Sequence, residues 1–133
     1  MLRAVADTHA VIWYIFADPR LSATARTTIE QIAMDGNQIG FSSIMLAEIV
    51  YLSERGRINA DTLDRLLAAV DSEDALLVEI PFERNIALTL RQVDRSQIPD
   101  LPDRIIAASA LYLNVPVISR DRRIQLSSVE TIW

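Results

Sequence analysis

Apolar positions fall in short blocks separated by amphipathic stretches, and the spacing of each block predicts an element. Leu2 to Ala6 reads as a short buried strand, followed by a helix from about Thr8 to Phe16 and a turn at Asp18-Pro19. Ser22 serves as an N-cap for a second helix that Gly36 closes. Ile39 to Ser42 is the second strand, leading into a helix through Glu48 and Tyr51 that stops near Gly56, and a fourth helix covers about Asp61 to Val70. Leu76 to Ile80 is the third strand, and Phe82 to Val93 carries a helical pattern with Ile86, Leu90 and Val93 on one face. Asp94 to Leu101 is a polar loop; Pro102 then opens a helix that continues through Asp103 and the periodic stretch Ile105 to Leu113. Val115 to Ser119 is the fourth strand, a short helix follows from Arg122, and Val129 to Ile132 is a final edge strand.

Strands alternating with helices predict an α/β fold: a mostly parallel central sheet of about five strands, sandwiched between layers of helices. No repeat, low-complexity segment or long linker interrupts the chain, so residues 1–133 are expected to form one domain. Ligands of such sheets bind beyond the carboxyl ends of the strands. Four acids are placed to reach that edge. Asp7 ends the first strand, Asp121 lies just past the fourth, Asp103 begins a helix, and Glu48 lies one to two turns into the helix after the second strand.

Gathered carboxylates repel one another, and a divalent cation is the usual offset; oxygen-only ligation suits Mg²⁺ or Mn²⁺. Each acid also has a simpler reading. Asp7, Asp103 and Asp121 stand at helix starts, where a carboxylate caps amides, and a glutamate inside a helix commonly lies on a solvated face. The flanking sequence favours the site: Glu48 lies in the mostly apolar run Ile44 to Leu52, and Asp7 follows a buried-type strand. Carboxylates in such surroundings need a partner, and the chain has no lysine to supply one.

Composition narrows the field. A net charge of −5 argues against coating nucleic acid through a broad basic surface, so phosphate binding must be local. The absence of cysteine excludes disulfides, thiolate metal sites and a cysteine nucleophile, and one histidine excludes a histidine-rich zinc site. Half the residues are apolar, which implies a partner over part of the surface. The longest apolar run, Ala10 to Ala17, is too short to span a bilayer, and the start lacks the shape of a signal peptide; no membrane association and a cytoplasmic location are expected.

Four segments, Ala6-Asp7-Thr8-His9, Ala47-Glu48-Ile49, Pro102 to Ala108 and Ser119-Arg120-Asp121, resemble in order and spacing the acidic motifs of PIN-domain nucleases. The likeness runs over essentially the whole chain and is greatest to the VapC toxins of type II toxin–antitoxin pairs, which also carry a turn like Asp18 to Ser22. The resemblance implies a PIN-like three-layer sandwich and a Mg²⁺- or Mn²⁺-dependent endoribonuclease. Asp7, Glu48, Asp103 and Asp121 would serve as both metal ligands and catalytic residues. It further implies an RNA substrate, with transfer RNA a family-level expectation, a cognate antitoxin and a homodimer.

Neighbouring residues leave alternatives open. Thr8, Ser42 and Ser119 could orient the carboxylates or cap turns; His9 reads as a packing residue; Asp100 could assist a second metal or shape a turn; Arg104, Arg120, Arg122 and Arg123 could clamp phosphate or pair with the acids. Ile44, Leu46, Val50 and Tyr51, with Leu63, Leu66 and Leu67, are candidate partner surface. Two other functions fit the same acids: a PIN-domain nuclease of RNA processing with no antitoxin, and a noncatalytic Mg²⁺-binding interaction module. An aspartate-based phosphatase would want a second aspartate two residues after Asp7, where His9 stands, and a lysine.

Overall fold

The computed structural model describes Met1–Trp133 as a single sheet of five strands with helices on both faces. The strands are β1 (Leu2–Ala6), β2 (Gln38–Ser42), β3 (Leu77–Ile80), β4 (Val117–Ile118) and β5 (Thr131–Ile132). Their order is β3-β2-β1-β4-β5, and all four pairings are parallel, so "mostly parallel" becomes wholly parallel. The helices are α1 (Thr8–Ile15), α2 (Ala23–Met34), α3 (Ile44–Glu54), α4 (Thr62–Asp71), α5 (Arg84–Thr89), α6 (Leu101–Leu113) and α7 (Arg122–Gln125).

Alternation along β1 shows how the layers divide. Ala4 and Ala6 enter a core with α1 to α4, alongside Ile39, Phe41, Met45 and Ile49, whereas Val5 enters the opposite core with Ile86, Ile106 and Val117. Strands buried on both faces must be apolar at every position, which is why β1 shows no polar alternation within its buried half. Gly40 sits mid-strand for a steric reason: a Cβ there would stand 2.3 Å from Ile80 Cδ1 and 3.1 Å from Leu2 Cδ1.

Several boundaries move, each with a local cause. The helix expected over Phe82 to Val93 is cut into α5 and a 3-10 turn at Leu90–Gln92, because the Arg104 guanidinium draws off the carbonyls of Leu90 (2.8 Å) and Val93 (3.0 Å). The polar loop before α6 is pinned by Ile98, which is buried in the second core. Helix α6 begins one residue ahead of Pro102, since Asp100 takes the N-cap and accepts from the Asp103 N–H. Leu66, expected as partner surface, is fully buried in the first core. No helix is long and apolar enough to cross a membrane.

The strand order reverses at β1, which has β2 on one side and β4 on the other. Loops leaving β1 and β4 therefore diverge to opposite faces and open a crevice at the carboxyl edge.

Candidate active site

That crevice is an open cleft of about 490 Å³, lined by Asp7, Thr8, His9 and Trp13 from the β1–α1 side, Glu48 from α3, Asp100 and Asp103 from the start of α6, and Arg120 and Asp121 beyond β4. All four sequence-predicted acids thus line one space.

Asp7 follows the last residue of β1 and is almost wholly buried. One carboxylate oxygen caps α1 by accepting from the Ala10 N–H at 2.9 Å; the other accepts from the Ser119 hydroxyl at 2.5 Å. Ser119 is itself fully buried after β4, and its Oγ accepts from the Asp121 N–H at 2.9 Å. A single hydroxyl therefore ties the ends of the two neighbouring strands together and fixes both aspartates. Asp121 also caps α7, accepting from the Arg123 N–H at 2.8 Å. Glu48, on the second turn of α3, is half-buried, and its Oε1 accepts from the Thr8 hydroxyl at 2.7 Å.

The capping and ligand readings thus divide residue by residue. Asp7 and Asp121 cap helices and line the cleft at once. Asp103 caps nothing: Asp100 holds that place, so the Asp103 carboxylate projects from the first turn of α6 with no hydrogen-bond partner.

Burial and crowding leave these groups short of compensation. Asp103 is pushed up to about 7, first by desolvation and then by the charges of Asp100, Asp121, Glu48 and Asp7. Burial also raises Asp7, with Asp121 adding to it and the Ser119 and Ala10 hydrogen bonds opposing. Glu48 is raised by burial and by Asp100 and Asp7, against the Thr8 hydrogen bond.

No guanidinium relieves the strain. Arg120 lines the cleft but leans over Trp13, its Cζ 5.7 Å from the ring centroid, and the one ion pair in the molecule is Arg20–Asp18. Arg104, expected beside Asp103, turns away to the carbonyls ending the α5 segment. Ser42 accepts from the Ile44 N–H at its own strand end and touches no acid. Unpaired oxygen donors of this kind suit a hard divalent cation. No three acidic or histidine side chains already stand close enough to chelate one ion; the four carboxylates line the cleft without forming a closed ligand set. Nothing in the sequence marks Trp13 as a cleft residue, because it lies inside the longest apolar run.

Compared with protein families, residues 4–129 match the PIN domain. The chain belongs to the PIN domain family. Among solved structures, this PIN domain is similar to VapBC2 from Rickettsia felis bound to a DNA fragment from their promoter, with a TM-score of 0.72 at 18% identity over 98% of this chain and 97% of that one. It is also similar to a toxin–antitoxin complex from Klebsiella pneumoniae, at a TM-score of 0.68 and 21% identity over 98% and 96%. DNA-bound VapBC from Salmonella typhimurium gives a TM-score of 0.67 and 21% identity over 98% and 97%. No curated protein matches the chain in sequence. Likeness at such identity concerns the fold, and this PIN domain shares it from end to end.

Proposed function

We propose that this PIN domain is a divalent-metal-dependent endoribonuclease and the toxin half of a toxin–antitoxin pair. The observation that carries the reading is the cleft itself: acids from four separate parts of the chain meet at the switch point of the sheet, and none of them is ion-paired with a side-chain cation. Asp7, Glu48, Asp103 and Asp121 would hold Mg²⁺ or Mn²⁺. When bound, such an ion supplies Lewis acidity, acidifying water and offsetting charge on the phosphodiester.

The protein's own residues set the conditions for hydrolysis. Ser119 holds Asp7 and Asp121 in register, and Thr8 holds Glu48. Asp103, pushed up to about 7, must surrender its proton before it can ligate, and Asp7 and Glu48 are raised in the same sense, so pH acts through this cluster. No side chain is required as a covalent nucleophile; the attacking group is water.

The partner assignment rests on a separate feature. Val50 and Tyr51 on α3 and Leu67 on α4 are exposed, and they flank half-buried Leu46 and Leu63. An antitoxin laid over this face would cover them, consistent with structural neighbours that are themselves toxin–antitoxin complexes. A processing nuclease without an antitoxin would share the cleft but have no use for that apolar face.

The deciding experiment incubates the purified, antitoxin-free protein with a pool of structured RNAs in Mg²⁺, Mn²⁺ or EDTA, beside folded Asp103→Asn. Cleavage that needs metal and disappears in the variant supports the nuclease reading. Equal cleavage by both proteins means contamination, and binding of Mg²⁺ without cleavage of any RNA favours the noncatalytic module.

A further inference from the structure

We propose that the groove beside the acidic cleft, floored by Trp13 and Phe16 and edged by His9, Arg20 and Arg57, is the track for a single-stranded RNA segment running away from the scissile phosphate. The inference rests on the ribonuclease reading above and adds to it a direction and a set of contacts.

The groove, about 550 Å³, shares His9 and Trp13 with the acidic cleft, so the two adjoin across those side chains. Trp13 lies beneath the shared wall, buried, with the His9 ring 5.5 Å and the Trp133 ring 5.9 Å from its centroid. Guanidinium groups cover it: Arg20 Cζ at 5.1 Å on the groove side and Arg120 Cζ at 5.7 Å on the cleft side. The Phe16 ring is covered in the same way by the Arg65 guanidinium at 4.5 Å, so the surface offered to RNA is the guanidinium planes held by these rings, on which bases stack and with which phosphates pair with little dependence on base identity.

Charge sets the direction. An RNA strand carries one negative charge per nucleotide, and on the α6 wall it would meet Asp100 and Asp103. On the groove side the only acid is Asp18, and Arg20 already neutralises it at 2.7 Å. Arg57 is exposed at the far wall and its guanidinium has no hydrogen bond or ion pair within the protein. It is therefore free to contact phosphate, which a chain with net charge −5 can do only locally.

The test separates this assignment from catalysis. Asp103→Asn protein in EDTA is titrated with a fluorescent single-stranded RNA of mixed sequence, by anisotropy at several salt concentrations. Arg57→Glu, Arg57→Gln and Arg57→Lys are added in the same background, with Arg3→Glu, exposed toward the opposite end of β1, as a control for net charge. Wild-type cleavage is scored in parallel.

The expected result is about tenfold weaker binding for Arg57→Gln, more for Arg57→Glu, retention by Arg57→Lys, and a salt slope reduced by about 1. Arg3→Glu should match its parent. Equal affinity for Arg57→Glu and parent overturns the track while leaving metal-dependent cleavage by the wild type intact. A parent that binds no single-stranded RNA overturns it too, and absence of cleavage as well removes the ribonuclease reading beneath it.

Discussion

Asp103 holds its proton at pH values where an ordinary aspartate has lost it, and that displacement has consequences for both stability and function. With a native value of about 7 against 3.8, the folded state keeps between these limits a proton that the unfolded chain has released. Native protein thus binds more protons than unfolded protein across that window, so stability falls as pH rises through it; the cost is absent below the window and complete above it. Asp7 and Glu48, also raised, act in the same sense. Thermal unfolding in EDTA is expected to give a higher Tm near pH 5 than near pH 8, and Asp103→Asn to flatten the difference and raise Tm at pH 8 by a few degrees. Differential scanning fluorimetry over that range checks both. Thr8 illustrates a second kind of residue: its hydroxyl fixes Glu48, and Thr8→Val should preserve the fold yet lower RNA cleavage by about 10–100-fold at limiting Mg²⁺, with partial recovery at high Mg²⁺. A cleavage titration against metal separates this from simple loss of stability.

At the scale of elements, the start of α6 does two jobs with adjacent carboxylates. Asp100 caps the helix and frees Asp103 for the cleft, while its charge helps to raise Asp103. Asn caps as well as Asp but carries no charge, so Asp100→Asn should leave Tm nearly unchanged and move the pH midpoint of Asp103 downward; Asp100→Ala should in addition cost about 0.5–2 kcal/mol. NMR titration of the Asp103 carboxyl and a denaturant melt distinguish the two. Strand β2 makes a different demand. Gly40→Val places branched carbon where Ile80 and Leu2 already stand, with an expected loss of about 1–3 kcal/mol, seen as a lower denaturant midpoint with an unchanged m-value. Periodicity located these elements correctly but not their ends. The break after α5 depends on Arg104, distant in sequence from the carbonyls it binds, and no local pattern near Leu90 announces it.

The whole molecule presents two exposed apolar faces besides its cleft. One is the α3–α4 surface around Val50, Tyr51 and Leu67; the other carries Leu88 of α5 with Leu111 and Tyr112 of α6. Patches of this kind on a small domain favour association. If the first receives the antitoxin, Tyr51→Glu/Leu67→Glu should abolish inhibition of cleavage by antitoxin while leaving cleavage by the free protein unchanged. The homodimer expected from the family likeness is checked by light scattering, with Leu88→Glu/Tyr112→Glu expected to run as a monomer.

What the sequence determined by itself was the alternation of strand and helix and the placement of four acids toward one edge of the sheet, because these follow from local periodicity and from residue types that fit few environments. The family likeness added the expectation of a nuclease. Tertiary structure alone decided which acid caps and which stands free, since Asp100 and Asp103 look interchangeable until the helix start is fixed. It also sent Arg104 away from the site, placed Trp13 beneath a cationic ledge, and tied Asp7 to Ser119 across 112 positions of chain. Hydrogen bonds and charge repulsion act through space, and residues far apart in sequence acquire their chemistry only when the sheet brings its strand ends to one edge.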